Sequence, residues 1–237
     1  MEPLPARNER NVLLLTGVGH FTTHFFELMF PTLAVALARQ SEIPFDVVLG
    51  WSFVGYLMFG LAAVPAGLLA ERMGGRLPLL IALFGLGVAA LAASEVESGR
   101  ALSVCLAAMG LFAGIYHPIG TNLIARTIAA RGTALGVNAV FGYAAIALTP
   151  VTTALLCVHI GWQNSYRVVG YGMCAAAVAC AFLPIEVPAK TLRPSVDRAP
   201  VPIAWRPLLV LFLAAALAGV SYRGNTLLQP AYFASHV

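Results

Sequence analysis

Residues 67–76 read Gly67-Leu-Leu-Ala-Glu71-Arg72-Met-Gly74-Gly-Arg76, a charged turn set between two long apolar runs at 46–70 and 77–94. Three charges and three glycines in ten residues stand out in a chain that is 59% hydrophobic and only 10% charged, with mean hydropathy +0.84. A soluble domain carries about 25% charged residues. This chain has too few to cover a water-facing surface, which predicts an integral membrane protein. No stretch of about ten residues alternates apolar and polar, as a membrane barrel strand would. Helices are then the way to satisfy the backbone in lipid.

A helix crosses the hydrocarbon with about 20 apolar residues. Seven stretches qualify: 11–38, 46–70, 77–94, 101–125, 132–157, 166–185 and 207–234. The first carries His20, His24 and Glu27 and exceeds the roughly 7–15 residues of a signal h-region, so it reads as a retained span. Arg7, Arg10, Arg72, Arg76, Arg126, Arg131, Lys190, Arg193, Arg198 and Arg206 fall in loops on one side, and Arg39, Arg100 and Arg167 on the other. The positive-inside rule then predicts a cytoplasmic N-terminus, and this topology accounts for the net charge of +4 without a nucleic-acid partner. Cys105, Cys157, Cys174 and Cys180 lie in or at the ends of apolar spans with no Cys-x-x-Cys pair, and read as small packing residues.

His20, His24 and Glu27 recur at i, i+4 and i+7, which puts all three on one helix face. An ionisable residue at the membrane centre costs about 2.5–3.5 kcal/mol on insertion scales, so a stripe of three predicts a polar cavity wall. Histidine titrates near pH 6.5 in water, which suits proton handling. The bland alternative is a hydrogen-bonded trio tying the first helix to its neighbours. A metal site on His20, His24 and Glu27 is a further alternative, since imidazole and carboxylate are common ligands. In the fourth span, Gly114-Ile-Tyr116-His117-Pro118-Ile-Gly120-Thr-Asn122 predicts a bend. Pro118 lacks a donor and crowds the Gly114 carbonyl, leaving His117 and Asn122 as candidate cavity residues. Asn138 in the fifth span, and Arg223 and Asn225 in the seventh, are further polar candidates. Arg223 keeps its charge and calls for a carboxylate such as Glu27 or an anionic ligand.

The turn at 67–76 resembles the loop between the second and third helices of major facilitator superfamily transporters. That pattern is a glycine, three residues, an acid, a base, one residue, a glycine, then bases. Gly67, Glu71, Arg72, Gly74 and Arg76 fit it, with Glu where Asp is commoner. The resemblance implies that these residues form a conformational latch between two six-helix halves. It implies an all-α membrane fold with a six-helix bundle over 1–185, a cytoplasmic linker over 186–206 and the first helix of a second bundle over 207–237. A shift of 199 residues lays Pro31 on Pro230 and His24 on Arg223, in keeping with a parallel repeat. The chain ends at Val237, short of the family's twelve helices. Alternatives are therefore a truncated, non-transporting protein or a half-transporter needing a second chain.

Gly19-His20-Phe-Thr-Thr-His24, Pro31 and the Gly-aromatic-His-Pro run resemble the fosmidomycin-resistance branch of that superfamily, with His24 where an acid is expected. Gly136 and Pro150 keep the ends of an antiporter pattern whose inner glycines are replaced by Ala145 and Thr149. Pro31, Pro118, Gly136 and Pro150 are thus expected to kink or pack helices. The resemblance implies a multi-pass protein of a bacterial inner membrane. Its expected action is proton-coupled efflux of a small compound, an anionic one suiting Arg223, with drug resistance as the outcome. Lipid, substrate and protons are its partners and no cofactor is implied. Readings as an enzyme or receptor fit less well. The only lysine, Lys190, lies in the linker, which excludes a retinal Schiff base. No Gly-x-Ser-Gly nucleophile segment or phosphate loop occurs.

Overall fold

The computed structural model describes residues 6–187 and 204–236. Eight helices form there: α1 (Ala6–Ser41), α2 (Phe45–Gly50), α3 (Phe53–Met73), α4 (Arg76–Ser94), α5 (Gly99–Gly114), α6 (Tyr116–Thr127), α7 (Arg131–Ala181) and α8 (Trp205–His236). No strand occurs among the described residues, and the fold is the all-α membrane bundle expected. The chain divides into two units, Met1–Val187 and Pro188–Val237.

Six helical stretches are long and apolar enough to span a membrane. One of them, α7, has 51 residues. At 1.5 Å per residue it would be about 77 Å long, far beyond the roughly 30 Å of hydrocarbon. Gly161, with φ 81° and ψ 164°, breaks it into limbs 131–160 and 162–181. A positive φ of this kind costs a glycine little. With that break the crossings number seven among the described residues.

Two more spans depart from continuous helices. Trp51 and Ser52 separate α2 from α3, where the sequence reading expects one run over 46–70; the Ser52 hydroxyl turns back to the Leu49 carbonyl at 2.7 Å. The fourth span breaks at Ile115 between α5 and α6. That is one residue past Gly114, whose carbonyl gets no hydrogen bond from Pro118, since proline has no N–H. Pro31 and Pro150 sit inside α1 and α7.

Local signals set other ends. Gly74 takes φ 72° and ψ 177° after α3, a positive-φ stop that glycine tolerates. Ser98 accepts the Ala101 amide at 3.2 Å and starts α5. In the first unit α1 packs most extensively on α7, α4 on α7, and α3 on α5. Close approach is built in at Gly55 and Gly110: a Cβ on Gly110 would run into the Gly55 carbonyl. One core cluster gathers Phe25, Met29, Phe30 and Leu33 with Leu86, Met109 and Tyr166; a second gathers Val12 and Leu15 with Leu79, Tyr116 and Leu123. His20 and His24 of α1 fall between them along the helix.

Candidate functional site

His20, His24 and Glu27 form one connected line along α1. The ring of His20 reaches α7, where Nδ1 donates to the Asn138 carbonyl at 2.9 Å. His24 Nε2 lies 3.2 Å from His20 Nε2, and His24 Nδ1 lies 2.7 Å from Glu27 Oε2. The Glu27 side chain is 4% exposed, so it is held away from lipid and water. Its backbone carbonyl accepts from Tyr56 of α3 at 3.1 Å. Beside it lies a cavity of about 40 Å³, bounded among others by Ser52, Tyr56, Phe59 and Met109. That exceeds the roughly 10–15 Å³ a cavity needs to hold a water.

From α6, His117 closes over this line. Its ring centroid is 5.3 Å from that of His20 and 5.4 Å from that of His24. Tyr116 stacks on His20 at 5.0 Å and donates its hydroxyl to Asn138 Oδ1 at 2.7 Å. Asn138 therefore serves twice, with its backbone for His20 and its side chain for Tyr116. Room for the rings comes from missing side chains. A Cβ at Gly142 would lie 2.6 Å from His20 Nε2, and one at Gly19 or Gly120 would lie 2.7 or 2.6 Å from the Tyr116 ring.

The hydrogens on this line can be counted from the partners. A carbonyl only accepts, so His20 Nδ1 carries a hydrogen. Its Nε2 then faces His24 Nε2, and that contact needs a second hydrogen. The contact of His24 with Glu27 needs a third. Three hydrogens on two imidazoles and a carboxyl leave the line electrically neutral. They can be placed as carboxylate with imidazolium, or as carboxylic acid with two neutral rings. Moving between the two shifts hydrogens along the line while the heavy atoms stay in place.

The other sequence candidates lie elsewhere. Asn122 is exposed on α6. Gly136 is exposed, and no atom lies within 4 Å of where its Cβ would be, so it makes no close helix contact within the described residues. Gly67 would bring a Cβ to 4.0 Å from Pro118. Arg76 donates to the Ala181 carbonyl at 2.7 Å, tying the start of α4 to the end of α7. The side chains of Glu71 and Arg72, and Lys190, Arg193 and Arg198 of the linker, lie outside the described residues. In the second unit, Arg223 is half-buried with its guanidinium 5.8 Å from the Tyr222 ring centroid, and Asn225 donates to the Ser221 carbonyl of its own helix at 3.0 Å. All four cysteines are free thiols.

Sequence reasoning did not single out Tyr116, Tyr56 or Gly142. The signal for Tyr116 was present, since glycines flank it at 114 and 120.

Against known proteins, the sequence model described as Major Facilitator Superfamily matches residues 13–236. No curated protein matches the chain.

Proposed function

We propose that this chain, which belongs to the major facilitator superfamily, is a secondary transporter that exchanges protons for a small molecule and exports it. Small-molecule transport across a membrane follows from the family, as does a bilayer setting. The coupling ion and direction are our reading. The observation that carries it is the line of three hydrogen-bond contacts from Asn138 through His20 and His24 to Glu27. Gain or loss of one proton there leaves an unmatched contact or charge inside the bundle. That penalty biases one arrangement of the helices over the other. Rocking of two halves about a midplane site would then carry cargo across.

An anionic cargo is suggested by Arg223, whose guanidinium stays charged in any protein setting. The Gly114–Pro118 run and His20 support a resemblance to the fosmidomycin-resistance branch. The arginine-rich ends of α1, α6 and α7 support a cytoplasmic N-terminus in a bacterial inner membrane. Gly67, Glu71, Arg72, Gly74 and Arg76 would act as the latch on that side, Arg76 through the end of α7.

The test uses sealed vesicles that hold the protein and a pH-sensitive dye, with a panel of small phosphonates and carboxylates added under an imposed pH gradient. Wild type is expected to move protons when its cargo is present, and Glu27→Gln and His117→Ala to lose that coupling. Equal, gradient-independent cargo flux in all three would refute proton coupling.

A further inference from the structure

We propose that His20, His24 and His117 form a binding site for a divalent d-block cation of the zinc class, inside the first unit. The candidate ligand atoms of these three residues lie within 4.8 Å of one another. The Nε2 atoms of His20 and His24 face each other at 3.2 Å. With metal–nitrogen bonds of about 2.0–2.1 Å, the edge of a ligand tetrahedron is about 3.3 Å. Two of the three nitrogens therefore already stand at ligand spacing.

Their orientation is fixed in the manner a metal site requires. Metal-bound histidines commonly donate the other ring N–H to a carbonyl or carboxylate, which sets the tautomer and aims the lone pair. His20 has the Asn138 carbonyl for this and His24 has the Glu27 carboxylate. The residues assign Glu27 to the outer shell, where the i, i+4, i+7 spacing alone made it a ligand. His117 takes the third position. Its ring sits almost equally far from the other two, and among the described residues it takes no hydrogen-bond partner. A turn of the ring that shortens the 4.8 Å span to about 3.3 Å completes the face. The fourth position is left for water or cargo. The cation replaces the hydrogen that otherwise bridges the two Nε2 atoms.

This inference stands whether or not transport is proton-coupled, and its test reads metal alone. The full chain, purified in detergent, is titrated with Co²⁺. The expected result is the intense visible absorption of tetrahedral Co²⁺, saturating at one ion per chain and bleached by Zn²⁺. His117→Ala should abolish the band. Glu27→Gln should weaken binding about 10–100-fold. Exposed His159, outside the cluster, should be replaceable by Ala without effect. A wild-type spectrum that stays weak and octahedral overturns the proposal, even if the variants fail to fold. So does a band that survives His117→Ala and His24→Ala, or strong near-ultraviolet thiolate absorption, which would mark the cysteines instead.

Discussion

Replacing Gly142 by Ala tests whether missing side chains on α7 hold the histidine line in place. The new Cβ would sit 2.6 Å from His20 Nε2, 2.7 Å from Cε1 and 2.8 Å from Cδ2. Comfortable carbon contacts begin at about 3.5 Å, so the imidazole must retreat by roughly 1 Å. It has little freedom to do so. One turn earlier on the same helix, the Asn138 carbonyl holds its Nδ1 at 2.9 Å, and Tyr116 covers its face at 5.0 Å. Retreat stretches either that bond or the 3.2 Å contact with His24. Overpacking of this kind costs about 1–3 kcal/mol. Ala also gains about 1 kcal/mol of helix propensity over Gly, which would mask part of the loss. Gly136→Ala removes that ambiguity, because it lies on the same helix with nothing within 4 Å of its Cβ. The difference between the two variants isolates the clash. At about 2–4 °C per kcal/mol for a chain of this size, Gly142→Ala should melt about 2–12 °C below Gly136→Ala in detergent. The gap should close when both are made in a His20→Ala background, as a double-mutant cycle requires. A Gly142→Ala midpoint at or above that of Gly136→Ala refutes the reasoning, and so does a gap that persists without His20.

Gly110→Ala should prevent stable folding, since its Cβ meets the Gly55 backbone carbonyl, which cannot rotate away; loss of the monodisperse peak in detergent chromatography checks this. Tyr116→Phe removes a 2.7 Å hydrogen-bond donor from Asn138 Oδ1, in a residue 2% exposed, and should lower stability by about 1–3 kcal/mol by thermal melting. At the opposite end of the bundle, hydrogen bonds from Arg167 and then Ser94 hold the Glu95 carboxyl below its ordinary 4.5. A depressed carboxyl stabilises the fold above that ordinary value, and the effect is lost as pH falls through the folded value beneath it. Glu95→Gln should therefore melt slightly below wild type at pH 7. The difference should diminish as pH falls below 4.5 and shrink in high salt, because the pair is exposed.

Sequence carried the architecture because lipid leaves few options. Apolar length gave seven spans, and the structure has seven once Gly161 divides α7. That division was hard to place: a glycine in a polar stretch signals a break, but the 158–165 segment stays helical on both sides of one residue. The bend near Pro118 was legible because proline removes a specific hydrogen bond four residues back. The break at Trp51-Ser52 directly follows Gly50, one of several glycines in that apolar run, none of which the spacing distinguishes. Within the site, spacing on one helix was reliable, and His20, His24 and Glu27 do meet. Partners from other helices were less legible. Tyr116 reads as a core aromatic until its hydroxyl finds Asn138. Asn122 follows His117 by five residues, a turn of about 500° at 100° each. It therefore points about 140° away from His117 and is exposed in the structure.

The glycines and the titratable groups of this bundle have a common explanation. Burying Glu27 and two histidines in a membrane interior costs several kcal/mol unless each polar atom is matched. Matching requires rings to approach backbone and one another at hydrogen-bond distance, closer than side chains on adjacent helices normally allow. Gly19, Gly120 and Gly142 supply that space from α1, α6 and α7, each at a point where a Cβ would strike the His20 or Tyr116 ring. The three glycines surround the end of the line nearest Asn138. Beside Glu27 at the other end there is instead a small cavity under Tyr56 and Ser52. The line is thus clamped at His20 and looser at Glu27. Under the proposed coupling, a proton at Glu27 would be met by local adjustment beside that cavity, whereas a change at His20 would press on α7 through the Asn138 carbonyl and Gly142. Under that reading, the asymmetry would convert occupancy at one end into displacement of a helix at the other.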